Sequence, residues 1–132
     1  AYDWLERLKL RRRDLDLVVG AITVAPRILE RVRAEDLQPA QVVTLADAYA
    51  PDAPLLALAY EAVPRLHDYF TRLREVRLEI DGGDLAELGL SESPQVGDVL
   101  AELRRRKLNG EIAGREAELA AARELVATRT AP

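Results

Sequence analysis

The 132 residues carry a formal net charge of −4 and are 48% hydrophobic and 32% charged, enough apolar content for one folded domain or two small ones sharing a core. The lack of cysteine excludes disulfides, cysteine-ligated zinc and thiol catalysis, and the acidic balance argues against a nucleic-acid binder that relies on overall charge. No apolar run approaches the roughly 20 residues that span a bilayer, and the first residues lack a leader pattern, so a cytoplasmic chain with no membrane partner is expected.

Leu and Ala dominate the apolar set, which favours helices because neither loses much side-chain entropy there. Tyr2, Leu5 and Leu8, with Trp4 beside them, predict a short first helix. Asp14 is expected to cap a second, running through Leu15, Val18, Val19 and Ile22, with Pro26 breaking or kinking it before Ile28 to Val32. Pro39 is placed to open a helix holding Val42, Val43, Leu45 and Ala46. Pro51 to Pro54 predicts a turn, followed by an Ala/Leu helix to about Val63.

Pro64 opens the next segment, with Leu66, Tyr69, Phe70 and Leu73 on one face. The alternation at 76–80 suggests extended chain, though five residues make no sheet alone. A turn at Asp81-Gly82-Gly83-Asp84 leads into one helical turn ended by Gly89. Ser93-Pro94 then starts a strong helix with Val96, Val99, Leu100 and Leu103 inward, closing near Asn109-Gly110. A final Ala-rich helix is expected from Arg115 to Val126.

The expected fold is all-α, an irregular multi-helix bundle with a C-terminal helical hairpin. Residues 1–75 form a body segment and 76–132 a tail segment of hairpin plus last helix, together one compact unit. The chain has no methionine and opens inside helical periodicity, which predicts a piece of a longer protein.

Charge is uneven. Arg7, Lys9, Arg11, Arg12 and Arg13 form one basic group, and Arg104, Arg105, Arg106 and Lys107 another. The stretch 81–102 carries only acids. Arginine's planar fork suits phosphate oxygens, yet cations at a helix C-terminus also complement the helix dipole, and Glu102 and Arg106 are spaced for an ordinary surface pair. In the hairpin, the start of the second helix near Ser93 and Gly97 offers backbone N–H groups to an anion, with Gly89 and Gly97 leaving room for close approach.

His67-Asp68 spells the pair of metal-dependent phosphohydrolases, but His67 is the chain's single histidine and no metal site is expected. Tyr2, Trp4, Tyr69 and Phe70 sit at helical spacing and are assigned to cores rather than to base stacking.

Ile80, Gly83-Asp84-Leu85, Leu88-Gly89, Pro94-x-Val96-Gly97, Leu100 and Leu108-Asn109-Gly110-Glu111-Ile112 resemble the tail of bacterial class II tRNA nucleotidyltransferases, the CCA-adding enzymes and poly(A) polymerases. Residues 39–70, leading into Tyr69-Phe70-x-x-Leu73-Arg74, resemble that family's helical body. Family members usually carry Gly-Pro where this chain has Ser93-Pro94.

The resemblance implies that this chain grips tRNA or other RNA, with Arg104, Arg105, Arg106, Lys107, Ser93 and Gly97 as the candidate contacts. It further implies that the magnesium and the ATP or CTP belong to an N-terminal polymerase head, whose Gly-Ser turn has no counterpart here. No catalytic residue and no cofactor are therefore expected within 1–132. The alternative is a helical protein–protein or dimerisation module, including a homodimer, with no RNA contact.

Overall fold

A computed structural model describes residues 7–91 and 93–130. The expected first helix over Tyr2 and Leu5 lies outside the described residues, as does Trp4. The fold is all-α: the described residues form seven α-helices and no strand. In chain order these are α1 (Arg12–Val32), α2 (Pro39–Asp47), α3 (Asp52–Tyr60), α4 (Pro64–Thr71), α5 (Gly82–Glu87), α6 (Pro94–Leu108) and α7 (Arg115–Thr130), with a 3₁₀ turn at Leu73–Glu75. The chain divides between Thr71 and Arg72 into two compact units. Among the described residues, no single helix is long and apolar enough to cross a membrane.

In unit 1, α1 packs on α3 through small residues. Ala21 and Ala25 of α1 and Ala53 and Ala57 of α3 are all buried, so little side chain stands between the two backbones. Ile28, Leu29, Val32, Val63 and Leu66 complete that core. The structure corrects one expectation about α1 and narrows another. Its N-cap is Arg11, without a side-chain bond, and Asp14 lies inside the first turn, where its charge still favours the helix N-terminus. Pro26 does not break the helix. Pro26 and Ile22 lie on the exposed side of α1, where water can solvate the carbonyl that the proline leaves without a donor.

Pro39 does occupy the first turn of α2, behind an N-cap at Gln38. Pro51 to Pro54 is only partly a turn, because α3 begins at Asp52 and takes Pro54 into its first turn. Two polar ties hold the unit's far end. Arg65 donates to the carbonyls of Val32 and Glu35, each at 2.8 Å, and to that of Ala34, capping the C-terminal end of α1 from 30 residues away. The Tyr69 hydroxyl donates to Asp47 at 2.7 Å and its ring meets Phe70 edge-on at 5.0 Å, so both aromatics belong to the packing of α4.

Unit 2 is organised around Ile80, Leu85, Leu90, Val99, Leu103, Ala121, Ala122 and Val126. Its helix ends are locally encoded. The Asp81 side chain accepts from the N–H groups of Gly83 and Asp84, and Asp84 accepts from that of Asp81, a reciprocal cap for α5. Gly89 has φ +97°, which lets the Leu90 N–H reach the Leu85 carbonyl at 3.0 Å while Gly89 N–H bonds to Ala86. Leu85 and Leu90 are both buried, which seals this end with an apolar contact. Gly110, at φ +75°, closes α6 in the same way, with Glu111 N–H to the Arg106 carbonyl at 2.9 Å.

Candidate nucleic-acid interface

The residues singled out from sequence fall on α6, at its two ends. Ser93 is the N-cap and makes no side-chain capping bond, so its hydroxyl does not satisfy the N–H groups of the first turn. With Gly82, Gly83 and Ala86 of α5, Ser93, Val96 and Gly97 line a cleft of about 480 Å³. Its walls carry almost no side chain. An added Cβ at Gly82 would stand 3.5 Å from Val96, an ordinary van der Waals contact, so packing does not demand a glycine there. At Gly97 an added Cβ would meet no atom of another described segment within 4 Å.

The wall made by α5 is set from a distance. Residues 76–80 are not a strand, and side chains take several of their backbone groups. Glu118 of α7, with no exposed surface, accepts from the N–H groups of Glu79 at 2.7 Å and Ile80 at 3.2 Å. Arg104 donates through Nε to the Val76 carbonyl at 3.3 Å, and Arg115 donates to that of Glu79 at 2.7 Å. Arg115 also pairs with Asp84. The Asp81 N–H first, and then this guanidinium, hold the Asp84 carboxyl below its ordinary range.

At the other end of α6 the four basic residues are all engaged within the chain. Arg105 forms two 2.9 Å bonds to Glu102 and a 3.2 Å bond to Glu111. Arg106 bonds Glu102 at 3.0 Å, the i,i+4 pair read from sequence, and approaches Glu124 at 3.7 Å. Lys107 donates at 2.6 Å to the buried Glu118, with Glu79 at 3.9 Å. Hydrogen bonds from Arg105 and then from Arg106 hold Glu102 down, from 4.5 to about 2, and Glu102 in turn raises Arg105. Glu118 and Glu111 went unremarked as partners in the sequence. Their distance along the chain gives no periodic signal.

Of the four, Arg105 keeps the most exposed side chain, 44% against 25% for Arg106 and 20% for Lys107, and its partners Glu102 and Glu111 also reach solvent. A phosphate could therefore exchange for those carboxylates at Arg105, whereas Lys107 is committed to a buried partner. Arg105 and Gly97 lie eight residues apart, about 12 Å along the helix axis. The other basic group, at Arg11 to Arg13, is exposed at the start of α1.

His67 and Asp68 lie on α4, and among the described residues no three His, Cys, Asp or Glu side chains converge on a metal position. No protein-family model, curated protein or solved structure matches this chain.

Proposed function

We propose that the chain is the RNA-gripping body and tail of a class II tRNA nucleotidyltransferase or poly(A) polymerase, acting without catalytic residues of its own. The polymerase head, with magnesium and ATP or CTP, belongs to the same parent chain. The observation that carries this reading is Gly97. An interior helical glycine costs about 1 kcal/mol relative to alanine, and neither φ nor a neighbouring atom demands one here. A glycine that the chain itself does not need, at the mouth of a cleft beside an uncapped helix start, suits close approach by an external phosphate. Arg105 supplies a second contact further along the same helix. Several other residues of the resemblance, Ile80, Asp84, Leu85 and Gly89 among them, build the core and the helix ends of unit 2.

The test is tRNA binding by the chain at 50 and 200 mM KCl. Two phosphate contacts predict roughly a tenfold loss of affinity over that fourfold change in salt. Gly97→Ala should fold at least as stably as the parent yet bind tRNA more weakly. Equal tRNA affinity for Gly97→Ala and the parent would remove the observation on which the reading stands.

A second reading rests on unit 1. Leu17, Ile22, Leu55 and Tyr60 are 42–63% exposed and surround an apolar groove of about 570 Å³ between α1 and α3. A face of that kind suits a protein contact, either the polymerase head or a second copy of the chain. Sedimentation across a hundredfold concentration range, with Leu55→Asp as the control, tests the second copy. A monomer throughout would exclude it.

A further inference from the structure

Unit 1 holds a second depression whose chemistry differs from the apolar groove. It measures about 370 Å³ and is lined by Arg31 of α1, Leu37 of the following loop, Gln41, Thr44 and Leu45 on one face of α2, and Tyr49 just beyond it. Its floor is apolar, with Leu37 and Leu45 packed against the unit's core. The polar groups around it are mostly donors. Among the described residues, Arg31 has no ion pair or side-chain hydrogen bond, so its five N–H donors face solvent at the rim. The Gln41 carbonyl oxygen accepts from the Gln38 N–H at 2.8 Å, which leaves its amide NH₂ as the outward donor. Thr44 spends its hydroxyl proton on the Ala40 carbonyl at 3.0 Å. No carboxylate lines the depression, and the nearby Asp47 is held by Tyr69. Tyr49 leaves 47% of its surface exposed, and among the described residues its hydroxyl has no partner.

The combination selects a ligand with two parts. Unpaired guanidinium and amide donors without an opposing acid select an anion, and a half-exposed ring above an aliphatic floor selects a flat, weakly polar group. The geometry points to a nucleotide site in unit 1, in which a base stacks on Tyr49 and its phosphate is held by Arg31 and the Gln41 amide. This rests on the RNA-binding reading for its biological ligand, but uses different residues in a different unit. The same chemistry is offered by a free mononucleotide and by an unpaired nucleotide of an RNA, and the two are separated by the probes.

The experiment follows backbone amide shifts of the ¹⁵N-labelled chain in two titrations, one with adenosine 5′-monophosphate and one with a tRNA transcript. Shifts should concentrate at Arg31, Gln41, Thr44 and Tyr49. Tyr49→Ala and Arg31→Gln should each weaken the mononucleotide about tenfold, the loss of one stacked base or one charged bond, while Tyr49→Phe stays near the parent. Unchanged helical circular dichroism of each variant separates lost binding from lost fold. Mononucleotide shifts at these residues without tRNA binding would support the pocket and sink the RNA reading. Conversely, tRNA binding untouched by Tyr49→Ala and Arg31→Gln, with no mononucleotide shifts at these residues, overturns the pocket and leaves the reading on Gly97 intact.

Discussion

Glu118 is the residue whose loss should damage unit 2 most. It is fully buried, paired with Lys107 and bonded to two backbone N–H groups, and it fixes the segment that leads into the cleft wall. Glu118→Ala removes three interactions at once. Removing one partner of a buried pair costs about 3–5 kcal/mol, because the remaining charge is stranded. Here Lys107 keeps 20% exposure and has Glu79 within 3.9 Å, so part of its charge is recovered and the pair alone contributes at the low end. The Ile80 N–H, left buried without an acceptor, adds about 1–2 kcal/mol. A total near 4 kcal/mol is a large share of the stability of a unit this small.

Urea unfolding followed by circular dichroism measures the change directly. Glu118→Gln keeps an acceptor for the N–H groups and should lose about half as much. The double change Glu118→Leu with Lys107→Met removes the stranded charge and should recover part of the loss, while the orphaned N–H groups prevent full recovery. A Glu118→Ala protein within about 1 kcal/mol of the parent would show that desolvation of the carboxylate cancels its bonds, and the account of how 76–80 is held would fail.

Glu102 has a folded pKa of about 2 against an ordinary 4.5, so its pairing stabilises fully above about pH 5 and is lost as pH falls toward 2; unfolding midpoints measured between pH 6 and 2.5 should drop for the parent more than for Glu102→Gln. Gly89→Ala meets no atom but must hold φ near +97°, so a loss of about 1–2 kcal/mol by thermal unfolding is expected, in contrast to the neutral or stabilising Gly97→Ala. Tyr69→Phe deletes the bond to Asp47 and should cost about 1 kcal/mol, read from the same melts. The purified chain, incubated with tRNA, magnesium and ATP or CTP, should leave the 3′ end unextended, because among the described residues no three acidic or histidine side chains converge to hold a metal; specific extension would refute the proposed division of labour between head and tail.

What the sequence determined by itself is the local punctuation of the helices. Pro39, Pro64 and Pro94 mark helix starts because a missing N–H costs nothing there, and Gly89 and Gly110 mark ends because only glycine enters the left-handed region without strain. The Asp81 and Asp84 cap is equally local, three residues from donor to acceptor. Such features span five or six residues, so their physics is complete within a short window. The tertiary structure alone decided the rest. Pro26 is tolerated because the side of α1 that carries it faces water, which no local pattern around Pro26 states. Arg65 caps a helix some 30 residues earlier, and Glu118 serves N–H groups 38 and 39 residues away. In the run at Arg104 to Lys107 the helical spacing already sets consecutive positions about 100° apart, with Arg104 nearest the apolar stripe and Arg105 opposite it. The partners outside α6 come from folding alone, because they lie on other segments: Lys107 reaches the buried Glu118, while Arg105 stays exposed and adds Glu111 to its helical neighbour Glu102.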